Sequence, residues 1–408
     1  MSHVDAVSRP RRMRPRDPHE AHRVATPLEL FFDLVFVVAV AGAAAQWHHG
    51  LAGGHLGDLV NFVMVFFAIW WAWMNYTWFA SSYDCDDVPY RLLTFTIMAG
   101  SLMLAAGIPD LFDTGQSALV VSGYAVMRFA MVAMWLRAAA SDPRGRRTAL
   151  TYAAGIAVVQ VLWIARLLLE GHTQLLASFF LLVVLELMVP VVAERRGITP
   201  FHPHHIAERY ALLTLIVLGE VILASVQAVQ GALGQGAEKG LLPLVVGGLL
   251  IVFSMWWLYF KREHAGLFEG GIRSTFLTGY GHYLVFASVA ATGAALGAAI
   301  DAVQGEAQGS ARAIGIALAG AVAVFVWCVT LMHSMAGAPR AQTRFGAATG
   351  ALAVLVAVAG PPVGLTVLTA GLLLAGAVAH HVWGARSGVD RPAPEGAHPT
   401  WRSAHSTW

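Results

Sequence analysis

Leu241-Leu-Pro-Leu-Val-Val-Gly-Gly-Leu-Leu-Ile-Val-Phe-Ser-Met-Trp-Trp-Leu-Tyr-Phe260 runs without a single charge and is closed by Lys261 and Arg262. A helix of about 20 residues rises roughly 30 Å, the thickness of bilayer hydrocarbon. An unpaired backbone amide in hydrocarbon costs several kcal/mol, so a segment at that depth must be a helix or part of a closed barrel. The stretch is continuously apolar instead of alternating, which selects the helix.

Outward from it, comparable windows lie at 28–47, 58–79, 92–112, 117–138, 149–169, 174–193, 206–229, 280–300, 312–334, 345–360 and 362–385. With 241–260 they make twelve spans, and the chain reads as an all-α polytopic membrane protein. Its composition agrees: 57% of residues are hydrophobic and 12% charged, with a mean hydropathy of +0.62, outside the range of a soluble domain. The net charge of +2 is spread over short loops and forms no basic stripe, which excludes nucleic acid as a partner. Cys85 and Cys328 form no CxxC pair and read as free thiols.

Charge asymmetry tests the count, because a missed span would invert every later loop. Loops assigned to the cytoplasm carry Arg91, Arg137, Arg144, Arg146, Arg147, Arg195, Arg196, Lys261, Arg262, Arg273, Arg340 and Arg344, against Lys239 and Arg312 outside. Both termini are therefore expected in the cytoplasm, with the cell membrane as the location. Residues 1–25, with Arg9, Arg11, Arg12, Arg14, Arg16 and Arg23, read as a disordered basic tail, and 386–408 as a disordered C-terminal one.

The halves repeat. Glu29-Leu-Phe-Phe-Asp-Leu-Val-Phe-Val-Val is answered by Glu208-Arg-Tyr-Ala-Leu-Leu-Thr-Leu-Ile-Val, Trp70-Trp71 by Trp256-Trp257, and Arg91–Asp110 by His282–Asp301. Residues 26–196 and 197–385 are thus expected to be two parallel six-helix repeats related by an axis along the membrane normal.

Three polar motifs, Thr26-Pro-Leu-Glu-Leu-Phe-Phe-Asp-Leu-Val-Phe36, Asp84-Cys-Asp-Asp-Val-Pro-Tyr-Arg91, and His205-Ile-Ala-Glu-Arg-Tyr210 with Leu218-Gly-Glu220, make the sequence resemble the bacterial low temperature requirement protein A family. The resemblance covers roughly residues 25 to 385. It implies a multi-pass bacterial membrane protein connected with growth in the cold, and it fixes location more firmly than activity. The first span is also similar to the Phe-Ser-Asp pore helix of a lysosomal potassium channel family with six-helix repeats, with Phe32 where that helix has serine.

A charge at the centre of a span costs about 2.5 to 3.5 kcal/mol on insertion scales, so polar residues at depth carry the functional reading. Glu29 and Asp33 share one helical face, one turn apart, and repel unless a cation sits between them. Glu208 and Arg209 open span seven, Glu220 lies near its middle, and Arg128 in span four is the partner expected for Glu220 by depth. Glu186 and Arg166 are further charges at depth, left without assigned partners. His282 opens span nine and corresponds to Arg91; both are read as facing the carboxylates of spans one and seven.

The tryptophans of span two read as an interfacial belt, with Asn75 among them free to bond across helices or to a substrate. Asp84, Asp86 and Asp87 suit Mg²⁺ or Ca²⁺ by ligand type, although a solvated turn paired with Arg91 or its neighbours explains them more simply. His202, His204 and His205 have metal-like spacing broken by Pro203. No cofactor motif is present.

The leading expectation is passage of a small solute or ion, coupled to proton movement. It would use a cavity between the repeats lined by Glu29, Asp33, Asn75, Glu208, Glu220 and His282. The alternatives are a membrane enzyme acting on a lipid or prenyl substrate with metal at the Asp84–Asp87 loop, and a non-catalytic protein supporting growth in the cold.

Overall fold

The computed structural model describes residues 11–18, 20, 23–234, 241–262, 265–269 and 272–386. Among them there are helices and no strand. In chain order the helices are α1 (Pro27–Gly53), α2 (Asp58–Tyr83), α3 (Val88–Ala106), the short α4 (Ile108–Thr114), α5 (Ala118–Ser141), α6 (Arg146–Ala165) and α7 (His172–Glu194). They continue with α8 (Pro203–Gly234), α9 (Leu241–Phe260), the short α10 (Ala265–Glu269), α11 (Ile272–Gln304), α12 (Ala311–Met335), α13 (Arg340–Ala359) and α14 (Val363–Arg386).

Each expected span falls on helix, the third divided between α3 and α4 at Gly107, and the last two are separate helices parted by Gly360, Pro361 and Pro362. Eleven of the described helices are long and apolar enough to cross a membrane, and α8 adds a further 32 residues. The protein is thus an all-α, multi-pass membrane protein.

Local chemistry sets several helix ends. Thr26 caps α1, its hydroxyl accepting from the Glu29 amide at 3.3 Å while the Glu29 carboxylate accepts from the Thr26 amide at 2.8 Å. Pro27 occupies the first turn, where no amide is needed. Asp87 caps α3 by accepting from the Tyr90 amide at 2.8 Å.

The most enclosed spans are α11 and α2, with 89% and 72% of their apolar windows buried inside the protein, so they form the centre. Around them α1 packs on α2, α3, α8 and α11. Glycines set two close crossings. A side chain at Gly123 of α5 would lie 2.5 Å from the Leu104 amide nitrogen of α3, and one at Gly371 of α14 would lie 2.6 Å from the Gly247 carbonyl of α9. Backbones this near are held by dispersion between small residues, which dominates helix association in lipid. Phe253, Leu355, Val158 and Leu181 project outward, as expected of a surface solvated by acyl chains.

Two expectations are corrected. The tryptophans of α2 are not a belt: Trp70, Trp71 and Trp73 are buried in the protein interior, while Trp256 and Trp257 of α9 are exposed. The N–H groups of Trp71 and Trp73 serve buried carboxylates, described below, while Trp70 packs against Tyr280 and Tyr283. Nor is the whole basic leader a free tail. Met13 is fully buried, the Arg16 amide donates to the Ser82 carbonyl at 2.9 Å, and the Arg11 amide donates to Asp87 at 2.7 Å. A run of arginines that packs poorly by itself is fixed here by acidic groups at the end of α2. Residues 1–10 and 387–408 lie outside the described residues. Cys85 and Cys328 are free thiols.

Candidate functional site

Glu29 and Asp33 do face inward together, and the cation between them is Arg209 of α8. Arg209 lies 2.9 Å from Glu29 through Nη1 and donates to Asp33 through Nη2 at 2.6 Å and Nε at 3.2 Å. Trp73 Nε1 donates to Asp33 at 2.7 Å, and His205 Nε2 sits 3.1 Å from Glu29. Glu29, Asp33, His205 and Arg209 are all essentially without solvent exposure. Burial of one cation among two carboxylates is tolerable only with such dense pairing. Arg209 and His205 are one turn apart, so one face of α8 supplies both; α1 supplies both acids, and the cluster therefore joins the first half of the chain to the second.

The leader covers this cluster. Arg23 is 3.7 Å from Glu29 and 3.6 Å from Asp84, and the Ala25 amide donates to Glu208 at 3.1 Å. Burial pushes the Asp84 carboxyl up to about 6, reinforced by the Glu29 charge and opposed by Arg23 and Arg16.

A second buried centre forms within the first half. Glu186 of α7 accepts from Arg128 at 2.8 Å, Trp71 at 2.9 Å, Tyr124 at 2.9 Å and Gln160 at 3.0 Å. The partner of Arg128 is thus Glu186 and not Glu220. The matching depth of Glu220 misled, because Arg128 finds its carboxylate on α7, within the first half of the chain. Glu220 is only partly buried, and among the described residues no cation or donor meets it. Arg166, at the end of α6, donates to the Leu175 carbonyl at 2.9 Å and the Ser178 hydroxyl at 3.2 Å.

His282 meets a carbonyl and a phenol among the described residues. Its Nδ1 lies 2.7 Å from the Thr278 carbonyl, to which only an N–H can donate, and Nε2 lies 3.0 Å from the Tyr259 hydroxyl. Arg91 turns to Asp86 at 2.7 Å instead of span one. The three loop aspartates are engaged separately: Asp84 by Arg23, Asp86 by Arg91, and Asp87 by Arg137 at 2.7 Å. Although burial acts to raise it, the Asp87 carboxyl is held below its ordinary value by the Arg11 amide, Arg137 and the Tyr90 amide. The histidines also disperse, His202 to the Glu20 carbonyl, His204 toward Glu269 and His205 to Glu29. Among the described residues no group of three metal-ligand side chains forms.

A cavity is walled by α2, α5, α6, α7, the 195–202 connection and α11, with about 50 Å³ of room for water. It lies where the first half meets α11. Of the expected lining residues only Asn75 reaches it; the others are packed in the ion clusters or elsewhere. The walls are Trp78, Trp135, Tyr152, Phe201, Phe276 and Tyr280, with Glu194 the one acid among them. Sequence reading passed over Glu194 because it ends α7 beside Arg195 and Arg196 and looks like a surface pair. The signal for Trp71, Trp73 and Trp135 was only that indoles sat within the spans.

The sequence pattern of the bacterial low temperature requirement A protein matches residues 24–383. An uncharacterized protein of Rhizobium meliloti (strain 1021) is similar, 30% identical over 240 residues, a match that spans 57% of this chain and 57% of that protein's length. No solved structure matches.

Proposed function

The chain belongs to the bacterial low temperature requirement A family, and from that premise we propose that it passes a small solute or ion across the cell membrane through the junction of its two halves. The observation that carries this reading is a fully buried ion cluster, Glu29 and Asp33 against Arg209, spanning that junction beside an aromatic-lined cavity. Acids at membrane depth mark ion and proton pathways. A carboxylate that gains a proton loses its hold on Arg209, so protonation would loosen the contact between halves and couple their rocking to proton movement.

The two halves are read as parallel repeats. Part of the packing order supports this: α1 touches α2 and α3, α3 touches α5, α5 touches α6 and α6 touches α7, as α8 touches α9 and α11, α11 touches α12, α12 touches α13 and α13 touches α14, while the close pairing of α9 with α14 has no counterpart between α2 and α7. Arginine asymmetry supports a cytoplasmic position for the end that bears Asp84 and the docked leader.

Protein reconstituted in liposomes tests the proposal, with a solid-supported-membrane current and a lumenal pH dye reading a panel of ions and small solutes. Saturable flux is expected for at least one member, lowered tenfold or more by Asp33→Asn. Absence of any flux across the panel, together with normal growth in the cold of cells carrying Asp33→Asn or Glu220→Gln, would end the reading.

A further inference from the structure

We propose that the cavity between α2, α5, α6, α7 and α11 is a binding site for a small organic ammonium ion, with Glu194 as its countercharge. The inference rests on the solute-passage reading and names the class of solute.

Most acids at depth in this protein have a cation beside them. Glu29 and Asp33 are met by Arg209, Glu186 by Arg128, Asp84 by Arg23 and Asp87 by Arg137. Glu194 differs. It accepts from the Tyr152 hydroxyl at 2.7 Å, the Thr199 amide at 2.9 Å and the Thr199 hydroxyl at 2.9 Å, all neutral donors. Among the described residues no Lys, Arg or His lies within ion-pair distance of it, and its sequence neighbours Arg195 and Arg196 are exposed. The donors fix the carboxylate in position while leaving its charge uncompensated.

The walls suit a cation that is itself greasy. Trp135 stacks on Tyr152 with centroids 4.1 Å apart and planes 4° off parallel, and Trp78 packs on Phe201 at 4.8 Å. Aromatic faces attract cations, and quaternary or alkylated ammonium ions are the ligands that such cages hold, because they shed water easily. A bare Mg²⁺ holds several oxygen ligands, usually including carboxylates and waters, and the cavity offers a single carboxylate, its other side-chain oxygens being the Asn75 amide and the hydroxyls of Tyr152, Thr199, Thr275 and Tyr280. The Tyr280 hydroxyl lines the same space, buried and without a hydrogen-bond partner among the described residues. A buried hydroxyl left unmatched is costly, and a ligand bearing a hydroxyl or carbonyl would satisfy it.

The cage is also linked to the ion cluster. Trp78 donates to the Tyr210 hydroxyl at 3.1 Å, and Tyr210 adjoins Arg209 in α8, while Trp73 of the same α2 helix donates to Asp33. Occupancy at Trp78 therefore bears on the helix that holds the two halves together.

The test uses the full chain in nanodiscs, with tryptophan fluorescence and calorimetry following the addition of choline, tetramethylammonium, the neutral isostere 3,3-dimethylbutan-1-ol, Na⁺ and K⁺. Saturable binding of the organic cations is expected, at least tenfold tighter than the neutral isostere or the alkali ions. Glu194→Gln should weaken that binding tenfold or more, and Trp135→Leu, which leaves Glu194 and its donors in place, should weaken it as well. Equal binding of the isostere, no saturable binding, or a folded Glu194→Gln protein with unchanged affinity would overturn the proposal. Binding without flux would overturn solute passage and leave the site standing; flux of another solute with no ammonium binding would do the reverse.

Discussion

At the scale of single residues, the cost of burying charge decides which contacts hold the protein together. Among the described residues Arg209 is the sole guanidinium paired with both acids of α1. Arg209→Met would leave both carboxylates buried with too little countercharge, and removing one side of such a pair costs about 3 to 5 kcal/mol. Thermal unfolding in detergent should show that loss, and the triple variant with Glu29→Gln and Asp33→Asn should recover most of it. An Arg209→Met protein as stable as wild type would contradict the geometry. Asp84 gives a pH signature. Its carboxyl is raised to about 6 by burial, above its unfolded value, so its contribution to stability is present below about pH 4 and lost as pH rises through 6. Asp84→Asn removes that dependence. Its melting temperature should gain on wild type between pH 4 and 7 and run parallel above, with a difference of at most ~3 kcal/mol.

Helix crossings set the next scale. A methyl group on Gly123 meets the α3 backbone at 2.5 Å, and backbone cannot step aside as a flexible side chain can. Gly219, in the middle of α8, has nothing within 4 Å of the same position. Gly123→Ala should therefore lower the melting temperature by several degrees. Gly219→Ala should leave it unchanged or raise it, because alanine favours helix over glycine by about 0.5 to 1 kcal/mol. Similar losses in both variants would mean that α3 and α5 are not in backbone contact. The docked leader shows the same principle in an irregular segment: Arg16 and Arg23 gain order only because Asp84 and Glu29 wait for them at the ends of α2 and α1.

For the whole molecule, the two halves meet through α1, α2, α8 and α11, and both the ion cluster and the cavity lie on that meeting surface. Length and apolarity alone located the apolar helices, eleven of which among the described residues are long and apolar enough to cross a membrane, since crossing hydrocarbon requires about 20 residues of helix whatever lies beside it. The same cost of charge at depth made Glu29, Asp33, Arg128, Arg209 and Glu186 stand out in the sequence as residues that need partners. Who those partners are was decided only by the tertiary structure. Asp33 and Arg209 are 176 residues apart in the chain, and the rotation of each helix about its axis follows from packing against all its neighbours. A nearly uniformly apolar helix carries little record of which face will turn inward. For that reason Arg128 found Glu186, the indoles of α2 turned into the protein, and Glu194, unremarkable at the end of its helix, came to lie in an aromatic cavity.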